Sequence, residues 1–334
     1  MKIRLISLLL ALLTALTLLS ACQGNNAKPA ETTDAGVTPP PSDNYVLKVG
    51  TLAGPTGMGM AKLFNDQTDE SIYDLDLFTA PDLISAALIR GELDIAAVPV
   101  NLAPVIAGKT DGAIQIAAIN TLGVLYIVEK GNTLTSLADL EGKTLYATGQ
   151  GSTPEYMLNY ILEQNDLKDK VTIEWKTEHS ELATMVAAGL VDYALLPEPH
   201  VTSSLTKNNE LRAAINLTEE WDKVSEGSAV QGCIVVSKKA LTDHLSLVEE
   251  FLTAYKASVA FVNANPKDAS VMIAATGIVG AAAIAEKAIP RCNIVYIDGD
   301  EMVTSLKEFY KVLFNANPQS VGGTLPDDTL YYTK

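Results

Sequence analysis

The chain is predicted to be an α/β protein of two similar lobes, because two sequence patterns each occur twice, in the same order. Gly91-Glu92-Leu93-Asp94-Ile95-Ala96-Ala97-Val98-Pro99 returns 98 residues later as Gly189-Leu190-Val191-Asp192-Tyr193-Ala194-Leu195-Leu196-Pro197. The shared frame is G-x-x-D-x-A-x-x-P. Leu47-Lys48-Val49-Gly50-Thr51, leading into Gly54-Pro55-Thr56-Gly57-Met58, is matched 97 residues on by Leu145-Tyr146-Ala147-Thr148 leading into Gly151-Ser152-Thr153-Pro154-Glu155. One such match could arise by chance; two at nearly one offset indicate a common plan.

Each element of that plan has a local reason. Leu83, Ile84, Ala87 and Leu88, and in the second copy Leu182, Met185 and Val186, recur at helical spacing. Gly91 and Gly189 then fall where a helix ends in a left-handed residue. The apolar runs that follow suit strands buried on both faces, and Pro99 and Pro197 end them by withholding an N–H. Ligands of open α/β sheets bind beyond the carboxyl ends of the strands, where the G-x-T-type loops and the segments after the two prolines lie. Helix starts after Thr56 and Thr153 would aim free N–H groups there.

Composition narrows the partners. The net charge of −16 disfavours nucleic acid and anionic lipid surfaces, which need cationic protein. Residues 1–21 read as a signal peptide: Lys2 and Arg4 precede an uncharged Leu5–Leu19, shorter than the ~20 residues of a spanning helix. Residues 22–44, with Pro29, Pro39, Pro40 and Pro41 and few apolar residues, read as a flexible tether spanning about 26 Å. Cys233 and Cys292 could pair or remain as two buried thiols.

Leu19-Ser20-Ala21-Cys22 resembles the bacterial lipobox, which implies cleavage before Cys22 and lipid attachment to it, on the outer side of the cell membrane. Together with Val46-Leu47-Lys48-Val49-Gly50, the twin repeats, Leu137-Ala138-Asp139-Leu140-Glu141-Gly142-Lys143-Thr144, Val235-Val236-Ser237 and a helix through Val248, Phe251, Leu252, Tyr255 and Val259 closed by Asn265-Pro266, the chain resembles the type II solute-binding proteins of ABC importers. The branch it looks most like serves sulfonates, taurine, nitrate and thiamine-pyrimidine precursors. The resemblance implies a two-lobed type II fold, each lobe a mixed sheet flanked by helices, joined by a two-strand hinge. Residues 45–128 and 232–334 would form lobe I and residues 129–231 lobe II, with crossings near Tyr126–Asn132 and Ala229–Ile234. It further implies a monomer that needs no cofactor or metal and passes a small solute to a membrane permease.

Carried over loop by loop, the ligand-binding residues are Thr56, Gly57, Asn101, Thr121, Ser152, Thr153, Glu198, His200 and Gln231, with Tyr126 and Tyr156 as stacking partners. No Lys or Arg lies in the four loops, and Glu198 would accept from an amine, so an amine-bearing or aromatic solute is expected over nitrate. The sequence lacks G-x-S-x-G and H-E-x-x-H, and His179, His200 and His244 are dispersed, which points away from catalysis. Two alternatives stand beside transport: a menaquinone-pathway enzyme of the same fold, argued against by the leader, and a surface lipoprotein that senses or adheres.

Overall fold

The computed structural model describes residues 45–333; the expected leader, Cys22 and tether lie outside them. The chain first lays down β1 (Leu47–Leu52), α1 (Pro55–Met58), α2 (Ala61–Asp66), β2 (Tyr73–Phe78), α3 (Pro81–Ile89), β3 (Ile95–Pro99), α4 (Leu102–Lys109) and β4 (Ile114–Leu122). It continues through β5 (Leu125–Lys130), β6 (Thr144–Thr148), α5 (Thr153–Gln164), β7 (Thr172–Lys176), α6 (His179–Ala187), β8 (Tyr193–Pro197), α7 (His200–Lys207), β9 (Leu211–Asn216) and α8 (Leu217–Asp222). It closes with β10 (Val230–Ser237), α9 (Lys238–Asp243), α10 (Leu245–Ala264), α11 (Pro266–Ala275), α12 (Ala282–Ala288), β11 (Ile294–Ile297) and α13 (Gly299–Ala316).

Two mixed sheets result. One has the order β11-β4-β10-β3-β1-β2 and the other β7-β6-β8-β5-β9. In each, two repeat strands pair in parallel, Val49 with Ile95 and Tyr146 with Ala194. In each, the fourth strand from the repeat's outer end is antiparallel and arrives from across a crossing: β10 between β3 and β4, β5 between β8 and β9. Gly91 and Gly189 both sit at φ 70°, and each helix end is closed by paired N–H bonds to its last turn. Prolines stand in the first turns of α1, α3, α5 and α11, where the lost N–H costs nothing.

The crossings are short. The chain leaves the first sheet at Leu122 and enters the second at Leu125, so the lobe boundary expected after residue 128 and the crossing expected near Tyr126–Asn132 both fall within or beyond β5. Hydrophobicity alone could not separate β4 from β5, because both are buried almost throughout. The return begins β10 at Val230.

Each lobe has its own apolar cluster: Phe251, Leu252, Tyr255 and their neighbours in the first, Leu182, Val186 and Val201 in the second. A third cluster runs through both. Its bridge is α13, which buries Met302, Leu306, Phe309, Tyr310 and Leu313. Trp221 of the second lobe packs against Phe309 at 5.3 Å and Tyr160 at 5.1 Å. Its indole Nε1 donates to Gly227 O at 2.6 Å. The lobes are thus distinct in their sheets and share one apolar seam. Cys233 and Cys292 are both buried and free.

Candidate functional site

A cavity of about 410 Å³ lies between the lobes, walled by the loops after β1, β3, β6 and β8. Thr56, Asn101, Thr121, Ser152, Thr153, Glu198, His200 and Gln231 all line it. Of the nine residues expected at the site, only Gly57 does not. Gly57 is buried beneath the loop, and a Cβ there would lie 2.1 Å from Leu52 O. Its role is to let α1 approach β1.

The walls are held by bonds from both lobes. Asn120 Nδ2 donates to Thr56 O at 3.1 Å and fixes the first loop; Thr121 Oγ1 donates to Asn120 Oδ1 at 3.0 Å. Ser152 Oγ donates to Gly149 O at 2.6 Å and fixes the second. Thr153 Oγ1 reaches Asn101 Oδ1 at 3.5 Å across the gap, and Gln231 Nε2 meets Met157 Sδ at 2.9 Å. The lining also holds Pro55, Pro81, Pro99, Pro154, Pro197 and Pro199, rigid apolar surface that gives a ligand no N–H.

Two expectations about the lining change. Neither Tyr126 nor Tyr156 faces the cavity. Tyr126 is buried with its hydroxyl donating to Arg291 O at 3.1 Å, and burial together with Glu198 pushes that hydroxyl up to about 12. Tyr156 donates to Gly151 O and accepts from Asn317 Nδ2, both at 3.1 Å, beside a larger hollow of about 940 Å³ between α5 and α13, which of the four loops touches only Gly151. Among the described residues, no Phe, Tyr or Trp lines the inter-lobe cavity.

Glu198 is also already matched. Its Oε1 accepts from Arg291 Nε at 2.8 Å and from Thr202 Oγ1 at 3.0 Å, and its Oε2 accepts from Thr202 N at 3.1 Å. Burial raises this carboxyl, while Thr202 and Arg291 oppose the rise. The basis for expecting an amine therefore falls away. Arg291 sits 93 residues from its partner, in the returning part of the first lobe, and no local spacing announces it.

His179 is the other residue the sequence reading missed. It lines the cavity beside His200, the ring centroids 5.4 Å apart, and shares a 2.6 Å hydrogen bond between Nδ1 and Thr148 Oγ1. Burial lowers His179 from its ordinary value; burial, then His179 and Lys207, lower His200 to about 4. Both shifts favour the neutral imidazole.

The family described as NMT1/THI5 like matches residues 112–269. An ABC transporter from Parabacteroides distasonis is similar at 28% identity, with a TM-score of 0.75, over 87% of this chain and 100% of that one. The periplasmic aliphatic sulphonate binding protein SsuA from Escherichia coli is similar at 17% identity and TM-score 0.65, over 86% of this chain and 94% of that one. A desulfurization enzyme, DSZB, is similar at 13% identity and TM-score 0.57, over 87% and 97%. No protein of the curated collection matches. The fold is that of type II periplasmic binding proteins, α/β with two lobes.

Proposed function

We propose that this protein is the solute-binding lipoprotein of an ABC importer, held outside the cell membrane by lipid on Cys22, which captures a small organic solute between its lobes and presents it to a permease. The carrying observation is that both copies of the repeat deliver their loops to one inter-lobe cavity, the arrangement in which one solute touches both lobes and favours the closed form. The nine loop residues, less Gly57, are the contacts, with His179 added. Residues 45–122 and 230–334 move as one lobe about residues 123–229 in this reading.

The lining narrows the solute. With no Phe, Tyr or Trp in the lining to stack on, an aliphatic sulfonate-like molecule is favoured over a thiamine-pyrimidine precursor. The cavity offers hydroxyls, amides and imidazoles as hydrogen-bonding partners for such a solute. Native mass spectrometry of gently purified mature protein should find one small molecule bound, released by unfolding. Its absence, with no thermal shift from any member of a solute panel, would sink solute capture and favour a sensing or adhesive lipoprotein. The anchor is tested separately: Cys22→Ala should move the protein from membranes to the soluble fraction.

A further inference from the structure

The repeat explains the cavity's loops but not its two histidines. His179 and His200 open α6 and α7 and lean towards each other at 39° over the cavity. The Nδ1 of His179 is tied to Thr148, which leaves its Nε2 free to serve a ligand. No hydrogen bond among the described residues engages the His200 ring. No lysine or arginine lines the cavity, and the nearest arginine, Arg291, is spent on Glu198.

The charges around the pair are few. Glu178 raises His179, and Lys207 lowers His200. Of the strands packed beneath the two helices, β5 carries Glu129 paired with Arg212 of β9 and Lys130 paired with Glu210. The β6 strand offers Tyr146 with Lys176 of β7 above its ring; β7 also carries Glu174; β8 carries Tyr193, bonded to Thr133. The α12 helix, packed on α7, carries Glu286 and Lys287, and α6 itself carries Glu181.

We propose that His179 and His200 are the specificity-determining pair of this site, and that the solute they select bears an anionic oxygen group and is bound together with one proton shared by the pair. The proposal rests on the solute-capture reading above. Helix-start N–H groups offer an anion only partial charge, and a full opposite charge in this apolar-walled cavity would hold it more strongly. Imidazole is the one lining side chain that can take up a proton to become a cation when an anion is bound beside it. The proton comes from solvent: empty protein, anion and proton combine, and no covalent bond changes. A cation would instead meet a carboxylate whose oxygens are occupied and two rings that bind it only by staying neutral.

The sign is fixed. The empty pair titrates below the ordinary histidine range, and a bound anion raises it, so binding takes up a proton between those two positions. Affinity then rises as pH falls, by up to about tenfold per unit for one proton.

Calorimetry of the mature chain with methanesulfonate, which stays ionised throughout, and with neutral methanesulfonamide and cationic methylammonium tests this from pH 8 to pH 5.5, in buffers of differing ionisation enthalpy. The expected result is binding of methanesulfonate that tightens towards low pH with close to one proton taken up. His200→Gln and His179→Gln should abolish the proton uptake, a readout that a purely structural role would leave in place. Sulfonate binding without proton uptake, an unchanged pH slope in both variants, or tighter binding of the amide or the ammonium would overturn the proposal and leave solute capture intact. If no probe binds, the molecule found by native mass spectrometry decides: an anion bound with proton uptake upholds the proposal, and a neutral or cationic one defeats it. No probe binding and no bound molecule ends both readings.

Discussion

Beyond Pro99 the first lobe presents Asn101 and Leu102 to the cavity; beyond Pro197, at the matching place, the second lobe presents Glu198, Pro199 and His200. The same division holds around the rest of the wall. The first lobe contributes Thr56, Asn101, Thr121, Gln231 and apolar residues, none of them ionisable, while Glu198, His179 and His200 all come from the second. The shared aspartates diverge too. Asp94 accepts from Lys48 N and Tyr45 Oη, both at 2.9 Å, and so locks the start of β1, and none of the described hydrogen bonds gives Asp192's side chain that task. Two copies of one plan have therefore separated their duties: one lobe supplies a neutral, rigid half-shell, and the other supplies the groups whose charge can respond.

The largest effect should come from breaking the one place where the first lobe tends the second lobe's charge. Arg291→Ala leaves the fully buried Glu198 carboxylate unmatched and should cost about 3 kcal/mol, read from denaturant unfolding. Glu198→Gln should cost less, because Arg291 is a third exposed and can turn to water. Equal losses would mean the pair is not what balances the carboxylate. A smaller contrast separates the two matched loops. Gly57→Ala forces α1 off Leu52 O and should cost about 1–3 kcal/mol, whereas Ser152→Ala removes one hydrogen bond and should cost about 1 kcal/mol. The reverse order would show that the loops are not used as frame and contact surface respectively.

The last effect is a slope, small at pH 7 and growing only in acid. His200 titrates at about 4 in the folded protein against an ordinary 6.5, so the unfolded chain binds more protons between those values. Its contribution is complete above about 6.5 and is lost as pH falls towards about 4. His200→Gln should flatten the acid side of the stability profile in that window, measured by thermal unfolding without ligand. A profile unchanged by the substitution would mean the imidazole is not desolvated.

What was legible in the sequence was whatever is written in neighbouring residues. The helix-end glycines, the strand-ending prolines and α10 follow from periodicity and turn chemistry, and the loops of the repeat converge because strands of one sheet present their carboxyl ends together. Contacts between distant segments were not legible. The Glu198–Arg291 bond and the His179–His200 approach depend on how the lobes and helices settle, and neither leaves a spacing to find. Tyr126 and Tyr156 illustrate the converse: each lies next to a loop that walls the cavity, yet strand alternation and helix phase turn them away from it. Gly57 was placed at the right loop for the wrong reason, since closeness of backbones, rather than room for a ligand, is what demands a glycine there.

The α13 seam has a mechanical consequence. A helix of one lobe that buries Phe309 against Trp221 of the other binds the two halves along one edge, like the spine of a book. Travel is then confined to the free margin, and spectroscopic labels placed beside Asn101 and His200 should separate on emptying while labels flanking Trp221 keep their spacing. In the proposed transport role, a permease would read a loaded molecule from that margin.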